Sequence, residues 1–158
     1  MVKSLSMFCL TLGMILTNPL SLQAEPLQQE VQVALQAGVE AWNRGDLESF
    51  MKGYVQGAEL TYTAGGRVVR GSDALYQRYL GTYGNHKESM GQLRFEEVET
   101  GSLGPDNALA MGKWIVDFGQ RNKPKAQGIF SLVLRKGPQG QWLILHDHTS
   151  RLDESKKT

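Results

Sequence analysis

His146, Asp147 and His148 stand in a row near the end of the chain, inside the run WLILHDHTS from Trp142 to Ser150. In an extended strand alternate side chains share a face. The run therefore predicts Trp142, Ile144, His146, His148 and Ser150 on one face and Leu143, Leu145, Asp147 and Thr149 on the other. Two imidazoles so spaced sit roughly 7 Å apart at Cα. Protonating one then disfavours protonating the other, and apolar surroundings lower both pKa values further. A neutral, pocket-facing histidine is a serviceable base near neutral pH. The same H-x-H geometry offers two nitrogens to a metal, with His86 or Asp117 to complete a site, but the sequence places no third ligand and no metal is assigned. Satisfied structural histidines near a subunit interface are the competing reading.

Asp117 is the other candidate for acid/base chemistry. Pointing inward beside Tyr62 or His146 it would complete an acid/base pair; pointing outward it is a solvated carboxylate at the Gly119 turn, the usual role of a strand-end aspartate beside glycine. The candidate catalytic residues are thus His146, His148 and Asp117. Trp42, Tyr54, Tyr62, Tyr79, Trp114 and Phe130 are the candidate lining of an apolar pocket, although each would also serve as a core anchor. Arg67 and Arg70 flank a short hairpin where they could meet an anionic ligand, with solvation as the alternative.

Other chemistries lack their signatures. There is no G-x-S-x-G elbow, phosphate-cradling loop or dinucleotide fingerprint, because Gly65-Gly66 precedes strand-like residues and not a helix, so no cofactor is expected. The single cysteine, Cys9, lies in a predicted leader. Lys3, an apolar stretch over 7–16, the Asn18-Pro19 break and Ala24 describe a signal peptide over 1–24 and a periplasmic or secreted protein. Its removal leaves a chain without disulfide, thiol nucleophile or thiolate ligand. Loss of Lys3 from 17 basic residues leaves 16 against 16 acidic ones, a formally neutral chain with no basic footprint for nucleic acid or anionic lipid. No later stretch is apolar and long enough to cross a membrane.

The elements that must position these residues follow from periodicity. Leu27, Val31, Ala34, Leu35, Gly38 and Trp42 form one stripe of a first helix over 27–43, stopped by Asn43-Arg44-Gly45. Asp46 caps a second short helix with Leu47, Phe50, Met51 and Tyr54 inside. Residues 60–64 and 67–70 read as a hairpin turned by Gly65-Gly66. Ser72 caps a third helix bearing Leu75, Tyr76, Tyr79, Leu80 and Tyr83, and 84–89 is a polar loop. Four long strands follow, over 92–100, 108–118, 128–136 and 141–150, with hairpin-length connections. Residues 153–158 form a charged tail.

Three helices followed by four long strands predict an α+β domain over 25–152, its helices on one face of a strongly curved antiparallel sheet. Large apolar residues on the other face of 108–118 and 141–150 predict a homodimer packed sheet to sheet.

The element order joins several local motifs: Trp42-Asn43-x-Gly45-Asp46, the Gly104-Pro105-Asp106-x-Ala108 turn, Gly128-x-Phe130-Ser131-Leu132 and Trp142…His146-Asp147-His148-Thr149-Ser150. Together they resemble the nuclear transport factor 2-like superfamily, over nearly all of 27–151. Within it the chain looks like the SnoaL-like bacterial proteins, and its last strand is similar to the association domain of calcium/calmodulin-dependent protein kinase II. The resemblance implies a cone-shaped, usually dimeric domain enclosing a pocket for a small apolar or aromatic molecule. It leaves three roles open: ligand binding, acid/base catalysis of isomerase, dehydratase or cyclase type, and assembly without catalysis. The tyrosine and aspartate arrangement of the ketosteroid isomerases is not matched residue by residue.

Overall fold

A computed structural model describes residues 19–119 and 125–152, with side chains from residue 26 onward. Most of the expected leader, including Cys9, and the tail over 153–158 lie outside the described residues.

Helix α1, Pro19–Asn43, contains the predicted first helix and begins earlier; its stripe of Val31, Leu35, Val39 and Trp42 is buried. The stop after Asn43 is built by side chains. Asn43 donates to the Leu93 carbonyl at 3.0 Å and accepts from the Leu93 amide at 2.7 Å, as a neighbouring strand would. Gly45 has φ +78°, and a Cβ there would meet the Lys87 amide nitrogen at 2.4 Å, so only glycine fits this crossing. Asp46 then caps α2, Leu47–Met51, by accepting from the Ser49 amide at 2.9 Å.

The hairpin β1, Thr61–Ala64, and β2, Arg67–Arg70, leads into α3, Ser72–Tyr83. Ser72 is not the cap expected of it. Gly71 occupies that position, and the Ser72 hydroxyl accepts from the Gly57 amide at 3.0 Å, tying the helix start to the preceding loop. The polar stretch read as a loop contains a fourth helix, α4, Lys87–Met90, whose Met90 carbonyl accepts from the Trp42 indole at 3.2 Å.

Strands β3, Gln92–Ser102, β4, Asn107–Asp117, β5, Ala126–Lys136, and β6, Trp142–Arg151, form the predicted antiparallel meander. The sheet as a whole is mixed, however. Its order is β2-β1-β6-β5-β4-β3, and β1 runs parallel to β6, so the small hairpin extends the main sheet. The parallel pairing begins upstream, where Ile144 exchanges backbone hydrogen bonds with Gly53 and Val55 at 2.9 Å each.

Two bulges bend this sheet. In β3 the register slips between Glu96 and Glu99, with Glu97 at φ +53°. In β6 it slips at Leu145: His146 pairs with Val133, but Ile144 pairs with Leu134. An unpaired extra residue increases local twist and reverses the facing of every side chain beyond it. The helices cover the concave side of the curved sheet, and the core lies between the two layers.

Candidate functional site

Between the helices and the sheet lies a partly open cavity of about 100 Å³. Aromatic rings form most of its wall. Trp42 meets Phe50, Tyr79 and Tyr83 edge-on at centroid distances of 5.0, 5.9 and 4.9 Å, and Tyr62 meets Tyr79 at 5.8 Å. From the sheet, Phe95 packs on Phe130 at 5.0 Å, with Trp114 and Thr149 nearby in the lining. All six residues expected to line a pocket, Trp42, Tyr54, Tyr62, Tyr79, Trp114 and Phe130, are brought together here.

The carboxylate in this wall is Asp147, and the β6 bulge puts it there. Trp142 and Ile144 face the cavity; the extra residue at Leu145 then shifts the phase, so Asp147 and Thr149 face it too. Asp147 is only 3% exposed. Its Oδ2 accepts from the Tyr54 hydroxyl at 2.9 Å, and the Tyr54 and Tyr79 hydroxyls lie 3.5 Å apart. Its Oδ1 is buried without a hydrogen-bond partner. Burial in apolar surroundings drives the Asp147 pKa up to about 7, against the smaller downward pull of the Tyr54 hydrogen bond. Burial also raises both phenols well above their ordinary value, reinforced by the Asp147 charge at Tyr54 and chiefly by the Tyr54 charge at Tyr79, so both stay protonated.

The expected pairing of faces along 142–150 is therefore corrected. His146 and His148 do not share the face of Trp142 and Ile144; they project from the opposite side of the sheet. His146 Nδ1 lies 2.6 Å from the Thr61 hydroxyl, and His148 is exposed opposite Ser131 and Thr63. Asp117 takes the turn role: its Oδ1 accepts from the Gly119 amide at 2.9 Å and its Oδ2 pairs with Lys125 at 2.9 Å. These contacts, the Gly119 bond foremost, hold its carboxyl below the ordinary value. Arg67 and Arg70 are exposed on the edge hairpin. Among the described residues no group of three or more histidine, cysteine or acidic side chains could hold a metal ion.

Sequence reasoning passed over Asp147 because strict alternation sent it to the face opposite Trp142. A signal was present in Leu143-Ile144-Leu145. Three consecutive large apolar residues beside a polar triplet break the period-two pattern where a bulge would.

The sequence matches no protein-family profile and no curated protein. Solved structures do resemble it. An NTF2-like protein of unknown function from Shewanella oneidensis is 33% identical, with a TM-score of 0.70 over 78% of this chain and 98% of that one. A ketosteroid isomerase-like protein from Erwinia carotovora shares the fold at 20% identity, with a TM-score of 0.64 over 80% of this chain and 96% of that one. An NTF2-like superfamily protein from Salmonella enterica does so at 18% identity, with a TM-score of 0.66 over 84% and 96%. At 33% identity across almost the whole length of the Shewanella protein, this chain belongs to the NTF2-like family.

Proposed function

We propose that this chain is a small-molecule-binding domain of SnoaL-like type whose ligand is mainly apolar or aromatic and carries one polar group directed at Asp147. The observation that carries this reading is the unbonded Asp147 Oδ1, buried in an otherwise aromatic wall. A buried polar atom without a partner costs stability, and a ligand that supplies the partner recovers it. Protonated, Asp147 can donate to a carbonyl oxygen; ionised, it accepts from a hydroxyl. The test compares 2-tetralone with tetralin, its hydrocarbon counterpart, using the fluorescence of Trp42 and Trp114. The ketone should bind more tightly, and Asp147→Leu should abolish that preference while tetralin binding persists. Equal binding of both by the native chain would remove the reading.

A second reading, an isomerase-, dehydratase- or cyclase-like enzyme, is favoured by one further observation. A carboxyl titrating at about 7 is available as both acid and base at neutral pH. Such a group can remove a proton next to a carbonyl while a neighbouring phenol stabilises the enolate, and the isomerase-like neighbour is consistent with that chemistry. Deuterium exchange at carbon 1 of 2-tetralone should rise with pH through about 7 and vanish in Asp147→Asn. Exchange no faster than in buffer would leave binding as the function.

The reading includes export through residues 1–24 and a sheet-to-sheet homodimer. The outer face of the sheet supports the latter: Met111 is 43% and Ile129 51% exposed, beside half-buried Leu109, Val133 and Leu143. Mass spectrometry of the periplasmic protein would read the mature N-terminus, and sedimentation the assembly state.

A further inference from the structure

The cavity wall has a buried part and a partly exposed part. Tyr83, Phe95, Trp114 and Thr149 belong to the latter and mark the mouth. Two arginines stand near it on different elements, Arg78 on α3 and Arg151 on β6. Arg78, on α3, holds its guanidinium carbon 5.4 Å from the centroid of the Tyr62 ring, stacked on a phenol of the cavity wall. The Tyr62 hydroxyl in turn lies 3.2 Å from the Thr149 hydroxyl on β6. Arg151 follows Thr149 by two residues and so shares its concave face, paired across the sheet with Gly128, which itself pairs with Trp114. The charges of both arginines act on the Tyr83 phenol, opposing the upward push that burial gives it.

Neither arginine makes an ion pair among the described residues, whereas Arg94, Arg135, Lys113, Lys125 and Lys136 each have an acidic partner. Two guanidinium groups that are unpaired among the described residues, beside an apolar opening, are suited to a planar anion, which each can engage with paired N–H donors.

We propose that Arg78 and Arg151 form an anion subsite at the mouth, so that the ligand is an apolar or aromatic carboxylate lying with its apolar body inward and its carboxylate between the two arginines. This deepens the small-molecule reading and rests on it. A single negative charge fits better than a phosphate, because the inner end of the cavity holds another acidic group, Asp147, and its lining supplies no further cation among the described residues.

The experiment compares 4-oxo-4-phenylbutanoate with its methyl ester by calorimetry, on the native chain, on Arg78→Gln/Arg151→Gln and on Arg70→Gln as an exposed-arginine control. The acid should bind roughly tenfold more tightly than the ester. That preference should shrink with added salt, collapse in the double variant while ester affinity is retained, and survive in Arg70→Gln. Retained ester affinity also shows that the double variant is folded. Equal affinity for acid and ester in the native chain, or a preference that survives the double substitution, would overturn the subsite and leave the pocket reading intact. Binding of neither compound would overturn both.

Discussion

The Tyr54 hydroxyl donates to Oδ2 of Asp147 at 2.9 Å while Oδ1 of the same carboxyl has no partner. Half-satisfied and almost fully buried, Asp147 binds its proton far more tightly in the folded chain than in the unfolded one. Between its ordinary value of 3.8 and its folded value of about 7 the folded state therefore holds more protons, and this group makes stability fall as pH rises through that window, then level off. The shift corresponds to on the order of 4 kcal/mol. Asp147→Asn, nearly the same shape without the charge, should be more stable than the native chain at pH 8 by up to about that amount and close to it at pH 4. Urea unfolding of the two proteins across pH checks this; a difference independent of pH would contradict it.

Tyr54→Phe should move the Asp147 titration upward, because it removes the hydrogen bond that favours the ionised carboxyl. It also leaves Oδ2 without its donor, at a cost of about 1–3 kcal/mol. Carbon-13 NMR of the carboxyl reads the midpoint directly. A midpoint at or below the native one would show that Tyr54 does not stabilise the charge.

Gly128→Ala should disrupt the mouth of the cavity. A Cβ at this position would fall 1.9 Å from the Ser150 carbonyl oxygen and 2.7 Å from the Trp114 indole nitrogen, so β5 and β6 must part. A loss on the order of 3 kcal/mol is expected, with a change in Trp114 fluorescence. Gly101→Ala, which meets nothing within 4 Å, is the control that should stay near native stability in thermal unfolding.

Met111→Lys with Ile129→Lys should dissociate the proposed dimer while 2-tetralone affinity is unchanged, since both side chains lie across the sheet from the cavity. Light scattering after size-exclusion chromatography distinguishes the states. A native chain that is already monomeric would remove the sheet-to-sheet assembly.

Local periodicity was enough to place most of the fold. The α1 stripe, the Asp46 cap and the four long strands depend on neighbours a few residues away, and except in β6 beyond Ile144 their side chains lie where the pattern puts them. The β1–β6 pairing was not legible because it joins residues such as Thr61 and His146, whose meeting no local pattern records. Ser72 carried a capping signal, but a tertiary donor, the Gly57 amide, claimed its hydroxyl. The aromatic wall was legible residue by residue, since large rings must be buried somewhere and all six candidates meet in one place. The acid in that wall was not, because its direction depends on a count of residues along β6 and not on their types.

Leu145 gives β6 one residue more than its pairing with β5 uses. Because Leu145 is the residue without a partner, deleting it would straighten β6 into regular alternation and leave Asp147 facing inward opposite Leu132. The surplus residue is thus absorbed locally, and the direction of the carboxyl is held by the pairing of β5 with β6 beyond it.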